Sequence, residues 1–367
     1  MKRRDFLKKA GVGAVAASTV FGSVYAQTLP RLRWRLSSGW PRALDIVFGP
    51  RSGVEFIARR IGELTEGRFE VSAHPAGELV PMPGLFDAVR GGAVEMGHFW
   101  SGWYFGVSPV TAFDSGLPFG MSSRQKNAWL LHGGGLELMR PFYAEHGMIN
   151  FNAGHSPMPM GGWFRREIRA PEDLRGLRFR VPGMGGTVYA RLGAVPQLIP
   201  AGEIFLALER GVVDAAEFMS AHDDERLGLH RAARFYYYPG WQEMVNTMTV
   251  VVNLERWRAL PKPYQEAIAS ACAEASSRLT AETDAKNAIA MVRLARGGTQ
   301  FRRFPTSVMR AAHTASVEVL EDLAARDAAF RAIYTPYMAF LNNQRRWFAS
   351  NEFAIEDFVR TLPVRPS

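Results

Sequence analysis

The chain has 367 residues, a formal net charge of +9, 47% hydrophobic residues and a single cysteine, Cys272. One cysteine excludes an intrachain disulfide and any Cys-based zinc or iron–sulfur site, and the length suits two domains, each with a sizeable core. The basic excess is spread along the chain with no Lys/Arg block flanked by aromatics, which gives nucleic-acid binding little support.

Met1 to Lys9 reads MKRRDFLKK, and Ala10 to Ala26 follows as a mildly apolar run. Arg3 and Arg4 ahead of Asp5-Phe6-Leu7-Lys8 resemble a twin-arginine export signal, and Val24-Tyr25-Ala26 fits a small-residue cleavage site. The run is short for a membrane span and weakened by its Ala and Gly content. Cleavage near Ala26 predicts a periplasmic protein. It also removes five basic residues (Lys2, Arg3, Arg4, Lys8, Lys9) and one acid (Asp5), so the charge falls from +9 to +5. A mild positive surface suits anionic ligands.

Beyond the signal, Arg31 to Ser38 alternates apolar and polar and predicts a half-exposed strand. Val54, Ile57, Ala58, Ile61 and Leu64 have helical spacing, stopped by Gly67. Phe69 to Ala73 is a second strand, Pro83 to Arg90 a short helix and Val94 to Phe99 a third strand, the rhythm of an α/β lobe. A second unit is expected from near Asn150, with strands at Trp163–Ile168, Leu177–Val181 and Val212–Phe218. Its helices are expected at Thr187–Leu192 and Gly202–Arg210, with Pro182 to Gly186 as a turn between elements. Thr247 to Asn253 reads as a strand returning to the first lobe. A long helix follows from Lys262 to about Arg296, then helices Ser307–Phe330 and Ile333–Phe348 with a bend at Tyr334-Thr335-Pro336. Asp223-Asp224-Glu225 reads as a solvated helix start. The expected division is a first lobe over 27–150 completed by the strand near 247–253, a second lobe over 151–242, and a helical region over 254–367 that bridges the lobes and offers a dimer arm.

No GxSxG, HExxH, GxxxxGK[ST] or strand-to-helix GxGxxG is present, and no two of the eight histidines sit at i, i+4 on a helix. Arg180 ends a strand just before Pro182-Gly183, where an α/β lobe opens into its cleft. A guanidinium there can grip a carboxylate through two parallel hydrogen bonds.

The central stretch carries Met160-Gly161-Gly162-Trp163-Phe164, Pro171-Glu172-Asp173-Leu174-Arg175-Gly176-Leu177 and Phe179-Arg180-Val181-Pro182-Gly183. Ala207-Leu208-Glu209-Arg210-Gly211, Val213-Asp214-Ala215-Ala216-Glu217 and Tyr236-Tyr237-Tyr238-Pro239-Gly240-Trp241 continue it, and Ala76-Gly77-Glu78-Leu79-Val80-Pro81 and Leu117-Pro118-Phe119-Gly120-Met121 precede it. These motifs, over nearly the whole mature chain, resemble the binding proteins of TRAP-type (tripartite ATP-independent periplasmic) transporters. The YYYPGW and GGWF stretches are similar to the branch that binds 2-oxo and 2-hydroxy acids, often with a metal ion.

The resemblance implies a type II periplasmic binding-protein fold, with two α/β lobes around a ligand cleft and a helical C-terminal region. It implies capture of a small organic acid for TRAP membrane permease subunits, without chemistry on the ligand. It places Arg180 at the ligand carboxylate. Glu217, with the backbone carbonyl of Phe218 and with Glu243, would hold Na⁺ or Ca²⁺. Trp241 and Trp103 would line the cleft. Two departures stand out: His155 falls where the family offers an Asn to the ligand, and Pro159 where it offers a Gln oxygen to the metal. Pro has no side-chain donor or acceptor, and imidazole is a poor ligand for hard cations. Ligand binding is therefore expected to be independent of Ca²⁺ and of chelators. The rival readings are a periplasmic lyase or hydrolase using Glu217 and His155 as an acid–base pair, and a ligand sensor without transport. The apolar residues from Leu323 to Phe348 point to a homodimer through the C-terminal helices.

Overall fold

The computed structural model describes residues 29–363, so the export signal expected at residues 1–26 lies outside the described residues. Strand β1 (Leu32–Ser38) buries Trp34 and Leu36 while Arg33 and Arg35 face outward, as its alternation requires. Helix Val54–Leu64 carries the chain to β2 (Phe69–His74), and helix Leu85–Arg90 carries it to β3 (Met96–Trp100). Both β2 and β3 run parallel to β1.

Strand β4 (Met148–Ser156) belongs to this first sheet, so the second lobe begins beyond Ser156 rather than near Asn150. The second sheet holds β5 (Gly162–Phe164), β6 (Arg178–Arg180), β7 (Val195–Gln197), β8 (Ala215–Ala216) and β9 (Phe235–Tyr238). Strand β10 (Asn246–Asn253) returns to the first sheet between β3 and β4, antiparallel to both, and all its residues are buried. Strand β11 (Gln300–Arg303) closes the edge of the second sheet beside β9. The spatial orders are β2-β1-β3-β10-β4 and β11-β9-β5-β8-β6-β7. This is the expected pair of α/β lobes.

Among the described residues, three crossings carry the chain between the two sheets. Two are short, at 157–161 and 239–245, and the third is helix Lys262–Arg296. Its 35 residues reach about 52 Å at 1.5 Å per residue, enough to pack on β4 at one end and feed β11 at the other. Closely spaced crossings of this kind let two rigid lobes hinge.

Two expectations fail for identifiable reasons. Gly183, Gly185 and Gly186 do not form a turn but open helix Gly183–Arg191. A Cβ on Gly186 would lie 2.5 Å from the Val181 carbonyl and one on Gly185 2.9 Å from the Gln242 side chain, so these glycines permit close packing. The tail also breaks earlier than Pro336. Helices Thr306–Arg326 and Ala328–Ser350 meet at Asp327, whose side chain accepts from the Phe330 N–H at 2.9 Å, and Pro336 lies inside the second helix. An N-cap of this kind is a stronger start signal than a proline is a stop.

Candidate ligand-binding site

Strands β6 and β8 run parallel, with Arg180 opposite Ala216, so Arg180 and Glu217 emerge together at the strand ends that face the first lobe. The pairing is reciprocal. The Glu217 N–H donates to the Arg180 carbonyl at 2.9 Å, and Arg180 Nη1 donates back to the Glu217 carbonyl. Arg180 Nε also donates to the Ile199 carbonyl at 3.1 Å, and the guanidinium lies 5.4 Å from the Phe218 ring centroid. The Glu217 carboxylate stands 3.6 Å from Nη1.

Opposite them, the first lobe contributes Trp40, Trp100 and Trp103, and the crossing at 239–245 together with the start of β10 contributes Glu243 and Asn246. The indoles of Trp40 and Trp103 lie 4.4 Å apart, and Trp40 meets the Phe218 ring edge-on across the cleft at 6.3 Å. The lobes close here around a cavity of about 10 Å³, roughly the room one water molecule needs.

The walls carry orphaned polar atoms. Glu217 Oε1, Glu243 Oε1, Asn246 Oδ1 and the indole nitrogens of Trp40 and Trp100 are buried without a hydrogen-bond partner among the described residues. Such atoms ordinarily cost stability unless something answers them. Burial pushes Glu217 up to about 8 against the pull of Arg180, and pushes Glu243 well above the usual carboxylate range, with Glu217 adding to the rise. Glu217, Glu243, the Asn246 amide oxygen and the Phe218 carbonyl are oxygen donors, the ligand type of Na⁺ and Ca²⁺. Among the described residues no group of three or more His, Cys, Asp or Glu side chains is placed to hold a metal, so a zinc-type centre has no basis. The donor set fits a hard cation whose shell a bound ligand completes.

Arg180, Glu217, Phe218, Glu243 and Trp103 are thus brought to one cleft. His155 is not. It neighbours Ser156 on β4, and strand parity turns its ring away from the cleft. There Nδ1 meets Thr247 Oγ1 at 3.1 Å and Nε2 meets Asn127 Oδ1 at 2.8 Å. Burial drives the ring down to about 3, so it is neutral. With His155 hydrogen-bonded elsewhere, the acid–base pair with Glu217 is not assembled. Trp241 also sits behind the lining, stacked on Phe119 at 5.6 Å and against Tyr189 at 4.6 Å. Pro159 does not reach the cleft either, because its carbonyl holds the Gly240 N–H at 3.1 Å in the crossing. Metal-independent binding was expected because of His155 and Pro159. His155 is engaged elsewhere and Pro159 supplies no side-chain oxygen, so the donors left for a cation are Glu217, Glu243, Asn246 and the Phe218 carbonyl.

Asp223 and Asp224 do start a helix, Ala221–Arg226, yet both are buried rather than solvated. Asp224 accepts from Trp163 Nε1 at 2.9 Å, Tyr236 Oη at 2.8 Å and the Met219 N–H at 3.1 Å. It anchors the backbone that presents Glu217 and Phe218. At the mouth of the cleft Asp45 of the first lobe accepts from His222 Nε2 of the second lobe at 2.9 Å and from Lys286 of the long helix at 2.7 Å. Burial pushes Asp45 up, but these hydrogen bonds outweigh it and hold the carboxyl at about 2.

Gly183 brings the second lobe close against the first. Its φ is +66°, and a Cβ there would lie 2.9 Å from the Trp100 indole. Gly183→Ala should therefore weaken ligand binding by obstructing closure, beyond the roughly 1–2 kcal/mol of left-handed strain it adds. Calorimetric titration of the variant checks this, and unchanged affinity would mean that closure tolerates the methyl group.

A family model described as bacterial extracellular solute-binding protein, family 7, matches residues 51–327. A monocarboxylate 2-oxoacid-binding periplasmic protein of Nostoc sp. (strain PCC 7120) is 43% identical over 98% of this chain and 99% of its own length. A TRAP transporter solute binding protein of Bordetella bronchiseptica RB50, solved as a mixed occupancy dimer with copurified calcium and picolinate in one active site and the other apo, is 42% identical. It superposes with a TM-score of 0.88 over 90% of this chain and 98% of that one. A TRAP periplasmic solute binding protein of Pseudoalteromonas atlantica T6c with bound sodium and pyruvate is 33% identical, with a TM-score of 0.85 over 91% of this chain and 100% of that one.

Proposed function

Because the chain belongs to bacterial extracellular solute-binding protein family 7, a family of receptors rather than enzymes, we propose that it captures a small 2-oxo or 2-hydroxy monocarboxylate together with Na⁺ or Ca²⁺ and delivers it to TRAP membrane permease subunits. The observation that carries this reading is one cleft in which buried Arg180 stands beside the orphaned oxygens of Glu217, Glu243 and Asn246. Arg180 would bind the carboxylate, and the indole N–H groups of Trp40 and Trp100 would answer the ligand's oxygens. Glu217, Glu243, Asn246 and the Phe218 carbonyl would hold the cation, which supplies positive charge beside the ligand. Closing the lobes stabilises the complex because the contacts of Trp40 and Trp100 across the cleft exist only in the closed state. Mass spectrometry of acid released by denaturing the purified protein tests the reading. Recovery of an unaltered 2-oxo or 2-hydroxy acid is expected, and a chemically transformed product would overturn it.

The receptor would work in the periplasm, reached through Arg3 and Arg4 and cleavage near Ala26. It would do so as a homodimer. Trp347, Phe353, Ile355 and Phe358 of helices Ala328–Ser350 and Glu352–Val359 are 55–60% exposed, and clustered apolar exposure of this kind marks an interface. The Bordetella relative was solved as a dimer. Light scattering at micromolar concentration should give twice the chain mass, and Trp347→Glu with Phe358→Glu should return it to one. A single-chain mass for the unaltered protein would rule the dimer out.

A further inference from the structure

Behind β4, away from the cleft, lies a second cavity of about 650 Å³, within the size range of small-molecule sites. Helices Ser123–His132, Gly135–Glu145 and Lys262–Arg296 wall it together with β4. Leu131, Leu136, Phe151, Ala269 and Ala273 make most of the lining apolar. Into this space projects Arg140. Its guanidinium lies 4.8 Å from the Phe151 ring centroid. Nη1 is wholly buried and unpartnered. Arg140 as a whole is half-buried, but a buried guanidinium nitrogen with no acceptor is costly and can be answered by an anion. Burial lowers the guanidinium's pKa and the charges of Glu137 and Asp114 partly offset it; the polar lining includes the neutral pair Asn127 and Asn152, bonded at 3.0 Å, and burial holds the Cys272 thiol up at about 12. Arg124 at the rim is already paired with Glu352.

We propose that this cavity is a second binding site, in the first lobe, for an amphipathic organic anion whose carboxylate or sulfonate pairs with Arg140 while its apolar body fills the space toward Leu131 and Ala273. The site differs from the cleft in kind. The cleft encloses about 10 Å³ and is lined by carboxylates, whereas this cavity is large, mainly apolar and carries a guanidinium with one buried, unpartnered nitrogen. It touches the cleft indirectly. Asn127 on its wall accepts from His155, and the next residue along β4 is Ser156, which pairs with the cleft residue Asn246 across β10.

Octanoate is the probe, titrated by calorimetry into the mature protein and into its Arg180→Ala variant, with 1-octanol as the uncharged counterpart. One octanoate per chain is expected in both proteins, unaffected by saturating pyruvate. Arg140→Gln should weaken it by about tenfold or more, the effect of removing one member of a desolvated charge pair. Ala273→Trp, which fills the cavity and leaves Arg140 in place, should weaken it similarly, so the test survives if either variant folds poorly. No saturable octanoate binding would overturn the proposal, as would binding lost in Arg180→Ala or unchanged in both cavity variants. Equal affinity for octanol would overturn the anion site. Octanoate that splits a dimer into single chains would show that the cavity holds a segment of a second copy, and would overturn the small-ligand reading.

Discussion

Replacing Arg180 by alanine should abolish measurable binding of any carboxylate ligand while the protein stays folded. The guanidinium is buried and already satisfies two backbone carbonyls, of Ile199 and Glu217, so its orientation is fixed before a ligand arrives. Removing one member of a desolvated, hydrogen-bonded charge pair costs about 2–5 kcal/mol, at least tenfold in affinity. The loss should lie at the top of that range, since without Arg180 an incoming carboxylate meets Glu217 and Glu243 with no fixed positive charge between them. Arg180→Lys should restore only part of the binding, because a point charge cannot reproduce the planar fork. The fold should persist because Arg180 lies at the end of β6, at the lobe surface, where its loss leaves the second sheet's ladder intact. Calorimetric titration alongside thermal unfolding separates the two effects. Undiminished affinity in a folded Arg180→Ala protein would remove this residue from the site.

Withdrawing Na⁺ and Ca²⁺ should cost nearly as much. With a ligand carboxylate bound and both glutamates ionised, the cleft would hold three negative charges against the single positive charge of Arg180, a mismatch that in the empty cleft already raises Glu217 and Glu243. Buried charge that is not matched must be neutralised by protonation or by a counter-ion. Only a cation also answers the Asn246 and Phe218 oxygens. Chelation in sodium-free buffer should therefore lower ligand affinity on the order of tenfold or more, in line with the cost of removing a hard cation's oxygen cage. Asn246→Leu, which keeps the branching but removes the amide oxygen and nitrogen, should raise the cation concentration needed for half-maximal binding. Affinity that is indifferent both to chelation and to sodium would return the account to a metal-free cleft.

The strands and helices that form the lobes were legible because their periodicity is strong. β1 alternates, helix Val54–Leu64 keeps its apolar spacing, and the long helix runs from Lys262 to Arg296 as expected. Arg180 was legible for a local reason, its place at a strand end before Pro182-Gly183. The stretch between β3 and β4 was left without elements although Ser122 and Gln125 form a capping box at the start of helix Ser123–His132, a signal that could have been used. His155 was misplaced because facing depends on strand register. A segment with Gly154 and Pro157 nearby and a bulge at Ala153 of β4 itself, opposite Met248 and Thr249, hides its parity. Trp40, Trp100 and Asn246 were missed as cleft residues because closure of two lobes, not sequence neighbourhood, brings them to Arg180. Asn246 opens β10, whose wholly buried run gives no alternation to mark the face toward the ligand.

The most direct measurement is a calorimetric titration of pyruvate into ligand-free, calcium-loaded protein, with the pyruvate concentration followed for hours afterwards. Saturable binding of one pyruvate per chain, with no consumption, is the predicted result. Absence of binding by pyruvate and by its 2-hydroxy counterpart lactate, or steady loss of pyruvate catalysed by the protein, would contradict it.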